Sequence, residues 1–339
     1  MKYWKHSLLA TAVAVLVAGP LVAQQTLIVQ TNSRDGSVHL IDPVRGVVVD
    51  QIDGIPINHG VAVSPDQSRI YLSSEGDEAL YVVDTSTMET IRTVELSARP
   101  HNISITPDGS KVYVGIIVQP GAINVVDTET FQVKEIPHPG GIHNIYVTPD
   151  GRHVVAGSIA GQRLTVYDTS TDQEVWAWEG HPIRPVAMST KADGSTDKLY
   201  VEISLHHGFV VVDFETHEEV ARVTLPDIPE DEREPGPYNS APAHGIGVSP
   251  DGATVWATSR MNSHVYVYST YPDLQLLAGI PTGVDPDWVT FTPDGKYAAV
   301  SNAIDNNVSI IDMETYQETA RVPVGESPKR NAVIRLGDE

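Results

Sequence analysis

Four histidines occupy the same position in an internal repeat of this chain: His59, His101, His143 and His244. The first three follow one another at intervals of about 42 residues, the length of one repeat. A repeat protein places equivalent positions around a common axis, so side chains distant in sequence can meet. Converging imidazoles in a chain without cysteine predict a site for copper or iron, with zinc as a third choice, and disfavour magnesium and calcium.

Short strand-forming segments must position these histidines. Each repeat begins with a segment such as RPHNISITPD (99–108), followed by two apolar runs around a polar turn and a fourth run after an Asp-Thr turn. The runs are rich in Val, Ile and Tyr and lie between Pro-Asp-Gly and Ser/Thr/Asn clusters, which indicates strands. Four short strands in roughly 42 residues are typical of one β-propeller blade. The Asp side chains between the runs are expected to stabilise turns.

The two ends of the chain predict how the ring of blades closes. The histidine position recurs at 59, 101, 143, 184, 244, 287 and 329, and only one interval is enlarged, by the insertion at 226–242. One strand follows Lys329, whereas the first three strands of the chain lack an inner strand before them. The ends therefore complete one blade. The sequence predicts an all-β fold: residues 24–339 form a single seven-bladed β-propeller with four-stranded antiparallel blades.

The same ring position holds Arg184, Asp287 and Lys329 in the other blades. The two cations suit an anionic substrate such as a carboxylate or phenolate. Asp287 could orient a ligand histidine or act as a base, and a salt bridge to Lys329 is the alternative. These three are the candidate catalytic residues. For the ring as a whole, the alternative to a metal site is a hydrated polar channel whose histidines bind water and backbone.

Two groups of loop residues are expected on the same face as this ring. Turns after the second strands carry Glu75 and Glu202, which could accept hydrogen bonds from ligand histidines. A neighbouring hairpin tip carries His206-His207, which either line the substrate entrance or belong to a solvated turn. The acidic, proline-rich insertion at 226–242, which contains Tyr238, forms either a lid over the entrance or a tolerated surface loop.

The N-terminal residues 1–23 have the pattern of a secretory signal: Lys2 and Lys5, an apolar stretch at 8–19, and Ala23 as a candidate cleavage point. The apolar stretch is short for a transmembrane helix. We therefore expect a periplasmic or secreted protein without membrane insertion. A formal net charge of −22 argues against nucleic acid as a partner. A monomer that acts on a small molecule is the expected state.

The repeats resemble those of the YVTN-repeat β-propellers, which are extracytoplasmic seven-bladed proteins similar to lactonase-like and surface-layer propellers. The resemblance lies in SPD or TPDG after the inner strand, YV-type second strands, and VVDT or IIDM after the third. It covers essentially the whole of 24–339 and implies the fold more than the function. The chain departs from the family in having histidine at the ring position of four blades, where a small or variable residue is common.

Three functions are compatible with these features. The chain has no nucleophile elbow, phosphate-binding glycine loop or CxxCH haem motif. We expect a metal-dependent oxidoreductase or lyase that acts on a small anionic or aromatic substrate by oxidation, lysis or metal-assisted hydrolysis. A non-catalytic binding propeller is one alternative. The other is a lactonase-like hydrolase, for which the resemblance implies a hard divalent metal with carboxylate or Asn ligands.

Overall fold

The segments rich in Val, Ile and Tyr form β-strands in the computed structural model of the protein. The structure describes residues 1, 24–229, 231, 233 and 238–337. Most of the predicted secretory signal (2–23) and the centre of the 226–242 insertion lie outside the described residues. Within them the strands form seven four-stranded antiparallel sheets, so the predicted all-β, seven-bladed propeller is confirmed.

The strands are short and follow one another through tight turns. In chain order, the first half comprises β1 (Gln25–Asn32), β2 (Ser37–Asp42), β3 (Val47–Ile52), β4 (Asn58–Val63), β5 (Arg69–Ser74), β6 (Ala79–Asp84), β7 (Glu89–Glu95), β8 (Pro100–Ile105), β9 (Lys111–Ile116), β10 (Gly121–Asp127), β11 (Val133–His138), β12 (Asn144–Val147), β13 (His153–Ser158) and β14 (Arg163–Asp168). The second half comprises β15 (Gln173–Glu179), β16 (Ile183–Thr190), β17 (Thr196–Ile203), β18 (Gly208–Asp213), β19 (Glu219–Thr224), β20 (Ala243–Val248), β21 (Thr254–Ser259), β22 (His264–Ser269), β23 (Leu276–Pro281), β24 (Pro286–Phe291), β25 (Tyr297–Asn302), β26 (Asn307–Asp312), β27 (Gln317–Pro323) and β28 (Pro328–Leu336). A turn of 3-10 helix, Tyr238–Ser240, precedes β20. In the described part of the chain, no helix has the length and apolar composition needed to cross a bilayer.

The C-terminal strand closes the ring. β28 pairs with β1 in antiparallel register, with Val333 opposite Ile28 and Ile334 opposite Leu27. The strand order of this blade is β28-β1-β2-β3, so the last strand of the chain is the inner strand of the first blade. Closure pairs the end strands with each other and leaves no break in the ring.

Apolar side chains between neighbouring blades form the core. One such cluster joins Tyr71, Leu80 and Val82 of one blade to Val112 and Val114 of the next. Each fully buried side chain of this kind stabilises the fold by roughly 1.5–3 kcal/mol. Because the core lies between blades, the outer strands such as β7 are largely exposed, and the inner strands surround the central channel.

Serine and glycine at fixed positions bring the inner strands close together. The Ser73 hydroxyl donates to the carbonyl of His101 (2.6 Å) and accepts from the amide of Gly60 (2.7 Å). A Cβ on Gly60 would meet that same carbonyl oxygen at 2.8 Å. A glycine is needed here because the backbones of β4 and β8 approach so closely. The consequence is that His59, which precedes Gly60, lies beside His101.

The carboxylates of the Thr-Pro-Asp-Gly segments stabilise turns at the far ends of the inner strands. Asp150 accepts hydrogen bonds from the Thr148 hydroxyl (2.6 Å) and the Arg152 amide (3.1 Å). Gly151 follows it with a φ of +71°, a backbone conformation that favours glycine. These carboxylates are used in the turns and lie away from the histidine ring.

Candidate metal site

The four repeat histidines form a row at the beginning of their inner strands. Ring centroids are 3.8 Å apart between His59 and His101, 4.4 Å between His101 and His143, and 5.8 Å between His143 and His244. All four residues are buried. The repeat therefore brings together side chains that are far apart in sequence, at one mouth of the channel.

Glu75, in the turn after β5, lies at one end of this row. Its Oε1 is 2.8 Å from Nδ1 of His59 and 3.9 Å from Nε2 of His101. Each of these three residues offers one potential ligand atom, and the three atoms lie within 4.8 Å of one another. Among the described residues, they form the cluster that could hold a metal ion. The sequence predicted that Glu75 would accept a hydrogen bond from a ligand histidine. Its carboxylate is also close enough to be a ligand itself. His143 and His244 extend the row beyond this cluster.

The hydrogen bonds of the row determine which imidazole nitrogens carry a lone pair. Nδ1 of His59 faces Glu75, and Nδ1 of His143 faces the Asn144 side-chain oxygen. Nδ1 of His244 lies 3.0 Å from the main-chain carbonyl oxygen of Asp287 and 3.2 Å from its carboxylate. In the metal-free protein these oxygens accept hydrogen bonds from Nδ1–H, so Nε2 keeps the lone pair in His143 and His244. At His59, Nδ1 can bind a metal shared with Glu75 only by giving up this proton.

Two nitrogens of the row are buried without a hydrogen-bond partner among the described residues: Nε2 of His59 and Nδ1 of His101. An unsatisfied buried polar atom costs roughly 1–3 kcal/mol. Polar atoms in this state call for an explanation such as an ion or a water molecule. A metal bound by these histidines is one arrangement that would satisfy them.

Burial keeps the row neutral. It lowers the pKa of His59, and it lowers the pKa of His101, His143 and His244 well below the ordinary value. Charges on neighbouring imidazoles and on Arg330 lower the pKa of His101 further. Neutral imidazoles are the form that binds metals, so at neutral pH no proton competes for the lone pairs of the row.

Asp287 lies at the opposite end of the row and connects it to a group of cations. Its carboxylate is 3.7 Å from Nζ of Lys329, 3.4 Å from Nη1 of Arg330 and 4.0 Å from Nε of Arg260. Burial alone would raise the pKa of Asp287, but the interaction with His244 and the charges of these cations outweigh it and lower that pKa. The residue thus orients His244 and also forms the salt bridge to Lys329. A carboxylate held in its ionised form this firmly is poorly suited to act as a base.

Arg330 lies one residue beyond the ring position, so the repeat of histidines does not predict it. It follows Lys329 directly, is 1% exposed, and its guanidinium lies 3.9 Å from the centre of the Trp288 ring. Burial lowers its pKa. One feature of the sequence does point to Arg330: it is an arginine at the repeat position where other blades carry small or uncharged residues, such as Gly60 and Asn102.

Arg184 and Glu202 occupy the neighbouring blade. Arg184 donates from Nε to the Ser204 hydroxyl (2.9 Å) and from Nη2 to the carbonyl of Ser240 (3.3 Å), which fixes it against the end of the insertion. Glu202 does not accept a bond from a histidine as expected, since neither of its oxygens has a hydrogen-bond partner among the described residues. Burial raises the pKa of Glu202 well above the ordinary value, which favours its protonated form.

The residues predicted to line the entrance are held in place by contacts with neighbouring residues. Nε2 of His206 lies 2.9 Å from a main-chain carbonyl of its own blade, and Nε2 of His207 lies 2.7 Å from the Ser259 hydroxyl. Tyr238 is buried, with the Arg260 guanidinium 5.4 Å from its ring centre. The end of the insertion is therefore anchored beside the cations of the site. Part of the proposed lid, residues 230, 232 and 234–237, falls outside the described residues.

The family comparison agrees with this architecture. A family model described as lactonase, seven-bladed β-propeller, matches residues 119–322. The chain belongs to this family. The resemblance inferred from the SPD, TPDG and VVDT segments is thereby confirmed. No curated protein matches this lactonase-family propeller significantly in sequence.

Solved structures similar to this lactonase-family propeller carry different functions. A putative 6-phosphogluconolactonase from Bacteroides fragilis has a TM-score of 0.72 at 16% identity, covering 94% of this chain and 99% of that one. Hydrazine synthase from Kuenenia stuttgartiensis has a TM-score of 0.69 at 21% identity, covering 89% and 99%. The dihydro-haem d1 dehydrogenase NirN has a TM-score of 0.62 at 16% identity, covering 95% and 77%. Identities this low show a shared fold, and the function must be argued from the site.

Proposed function

We propose that this lactonase-family propeller is a metal-dependent enzyme whose metal binds at His59, His101 and Glu75 and whose substrate is a small anionic or aromatic molecule. One observation carries the proposal: buried, neutral imidazoles adjoin a carboxylate, and two of their nitrogens lack a partner among the described residues. Two histidines with one carboxylate are the donor set of non-haem iron(II) sites and of several hydrolytic zinc sites.

The donor set narrows the choice of metal. Nitrogen donors alone suit copper, iron and zinc, and a carboxylate among them favours iron or zinc over copper. We therefore place iron first. Such a metal would supply a Lewis acid or a one-electron redox centre, which oxidation, lysis or hydrolysis requires.

The protein's own residues divide the site into two ends. Glu75 and the metal ligands lie at one end of the row, and Asp287 with its cations lies at the other. The Lys329 side chain is 24% exposed, so its ammonium remains accessible to the anionic group of a substrate. Asp287 holds the His244 imidazole in place between the two ends. An anion bound near Lys329 would direct the rest of the substrate along the histidine row.

Hydrolysis of a lactone is the second candidate, and the family membership favours it. One structural relative is a putative 6-phosphogluconolactonase. In this case the metal would polarise the lactone carbonyl, and the cations at Asp287 would bind an acidic substituent. A non-catalytic binding propeller would have neither activity.

Export to the periplasm or the cell exterior is also part of the proposal. It rests on the charged start and apolar stretch within residues 1–23. Sequencing the N-terminus of the protein recovered from each cell fraction tests it. A mature chain that begins near residue 24 and is recovered outside the cytoplasm is expected, whereas an uncleaved cytoplasmic chain would contradict export.

Activity before and after metal removal tests the enzymatic proposal. The purified protein is assayed with phenolates and small carboxylates under air, and with small lactones. Each assay is repeated after chelation and after addition of iron, copper or zinc. We expect turnover of one substrate class that chelation abolishes and one metal restores. Turnover that survives complete chelation, or no turnover with any metal, would contradict a metal-dependent enzyme.

A further inference from the structure

Beyond the histidine row, the inner strands enclose a cavity in the channel. It has a volume of about 470 Å³ and is lined by residues from all seven inner strands. None of the four row histidines belongs to its described lining. Its walls are mainly apolar and include Tyr146, Val186, Ile246, Trp288 and Phe291. Cavities of roughly 300–1,000 Å³ with apolar walls and a few fixed polar groups are typical small-molecule sites.

Arg330 supplies the charged group of this cavity. Trp288 and Phe291 are half-buried, whereas Arg330 is almost fully buried. Arg330 therefore lies at the inner end of the cavity. Only Nη1 contacts Asp287, at 3.4 Å. Nε and Nη2 are buried and have no hydrogen-bond partner in the described part of the chain. A guanidinium carries five N–H donors, and leaving charged donors unpaired in a protein interior is unfavourable.

The charges around Arg330 leave room for an anion. Four cations lie in this region: Arg184, Arg260, Lys329 and Arg330. Three carboxylates face them: those of Asp285 and Asp287, and that of Glu75, whose charge also acts on Arg330. Glu202 adds little negative charge, because burial favours its protonated form. One positive charge remains in excess, and because Arg330 is buried, an anionic ligand beside it would be attracted more strongly than in water.

We propose that this cavity binds a small carboxylate with an apolar, preferably aromatic, body. Nε and Nη2 of Arg330 are out of reach while the guanidinium lies on the Trp288 ring, so the guanidinium turns towards the cavity to donate to the carboxylate. The body of the ligand packs against Tyr146 and Phe291. A guanidinium matches a carboxylate with two parallel hydrogen bonds. A phosphate dianion fits less well, because its second charge would be buried against apolar walls without a partner. This site is separate from the proposed metal site and does not depend on it.

Calorimetric titration of the purified protein with defined probes tests the proposal. The probes are benzoate, phenylacetate and octanoate, each paired with its neutral amide. We expect saturable binding of the aromatic carboxylates, with the amides weaker by about tenfold or more, because the charge-assisted bonds are lost. Failure of every carboxylate to bind would overturn the proposal, and so would binding of the amides with equal affinity.

Three variants locate the binding. Arg330→Gln is expected to weaken benzoate binding by about tenfold or more and to leave benzamide binding nearly unchanged. Because Arg330 also supports Asp287, Ala332→Phe provides a test that keeps the guanidinium. Ala332 lines the cavity, and a phenyl ring there would fill it and abolish binding. Ala253→Phe, at an exposed turn position outside the cavity lining, is the matched control and should bind normally.

The metal-site variant His101→Ala separates this proposal from the proposed function. It should lose metal and still bind benzoate. Unchanged benzoate binding in Ala332→Phe, or loss of binding in folded His101→Ala, would show that the carboxylate binds elsewhere and would overturn the assignment to this cavity.

Discussion

At the scale of single residues, the hydrogen-bond partner of each imidazole determines what the histidine row can do. The partners of Nδ1 fix the lone pair on Nε2 in two histidines, His143 with Asn144 and His244 with Asp287. Nδ1 of His59 instead faces Glu75, with which it could share a metal after losing its proton. The repeat predicted the histidines because they share one register. It could not predict Glu75 as a candidate ligand, because the position of a turn side chain depends on its local conformation.

Glu202 offers a direct test of burial in this region. Its pKa is raised from an ordinary 4.5, so the folded state retains a proton that the unfolded chain loses. Stability is therefore lost as the pH rises through 4.5 towards the folded pKa. Glu202→Gln removes this penalty. We expect it to raise the free energy of unfolding by about 1 kcal/mol or more at pH 8, with less gain at pH 5.

Urea unfolding at a series of pH values measures this effect. Glu129→Gln, at an exposed turn position, is the control and should change stability little at any pH. A Glu202→Gln variant that is no more stable than the parent at pH 8 would show that the carboxyl is not held in its protonated form.

At the scale of strands, the spacing of β4 and β8 sets the spacing of His59 and His101. Gly60→Ala would place a Cβ 2.8 Å from the carbonyl oxygen of His101 and 2.9 Å from the amide nitrogen of Ile103. The two backbones must then separate. We expect a loss of about 1–3 kcal/mol in unfolding free energy and weaker metal binding, since the ligands move apart.

Metal affinity of the folded variant is the decisive readout for Gly60→Ala. Gly54→Ala is the comparison, because its Cβ has nothing within 4 Å and only the φ of +81° is unfavourable. Gly54→Ala should be destabilised and should keep its metal affinity. An equal loss of metal in both variants would mean that strand spacing does not control the site.

The strands and their order were predictable, and the side chains of the site were only partly so. Each strand carries its own apolar pattern, and the repeat count predicted that β28 completes the first blade. Arg330 was not predictable, because its burial follows from packing on Trp288 and contact with Asp287. These partners come from a different blade, and no pattern within one repeat records such contacts.

At the scale of the whole molecule, an acidic chain encloses a cationic channel with neutral histidines at its mouth. In the metal-free protein the four histidines have pKa values lowered by burial. The unfolded chain binds their protons more readily, so stability rises with pH in this range. The stabilisation from these neutral histidines is fully present above about pH 6.5, the ordinary histidine pKa, and is lost as the pH falls below that value.

Thermal unfolding between pH 8 and 5.5 in the presence of a chelator tests the direction of this pH dependence. We expect the midpoint to fall steadily below about pH 6.5, and to fall less in His143→Asn, which has one buried imidazole fewer. His217→Asn, which removes an exposed imidazole that stacks on the Trp176 ring, is the control, and its midpoint should fall with pH as much as that of the parent. A midpoint that does not change between pH 7 and 5.5 would contradict the burial of neutral histidines.

The metal content of the folded protein tests the central claim most directly. The chelated protein is reloaded with iron, copper or zinc, freed of excess metal, and analysed by elemental mass spectrometry. The proposed site predicts about one metal per chain, because a single cluster provides the ligands. His101→Ala and Glu75→Gln should each lower the affinity by at least about tenfold, and His217→Asn should retain the metal in full. A folded protein that retains no metal, or that retains it equally in all three variants, would contradict the metal site.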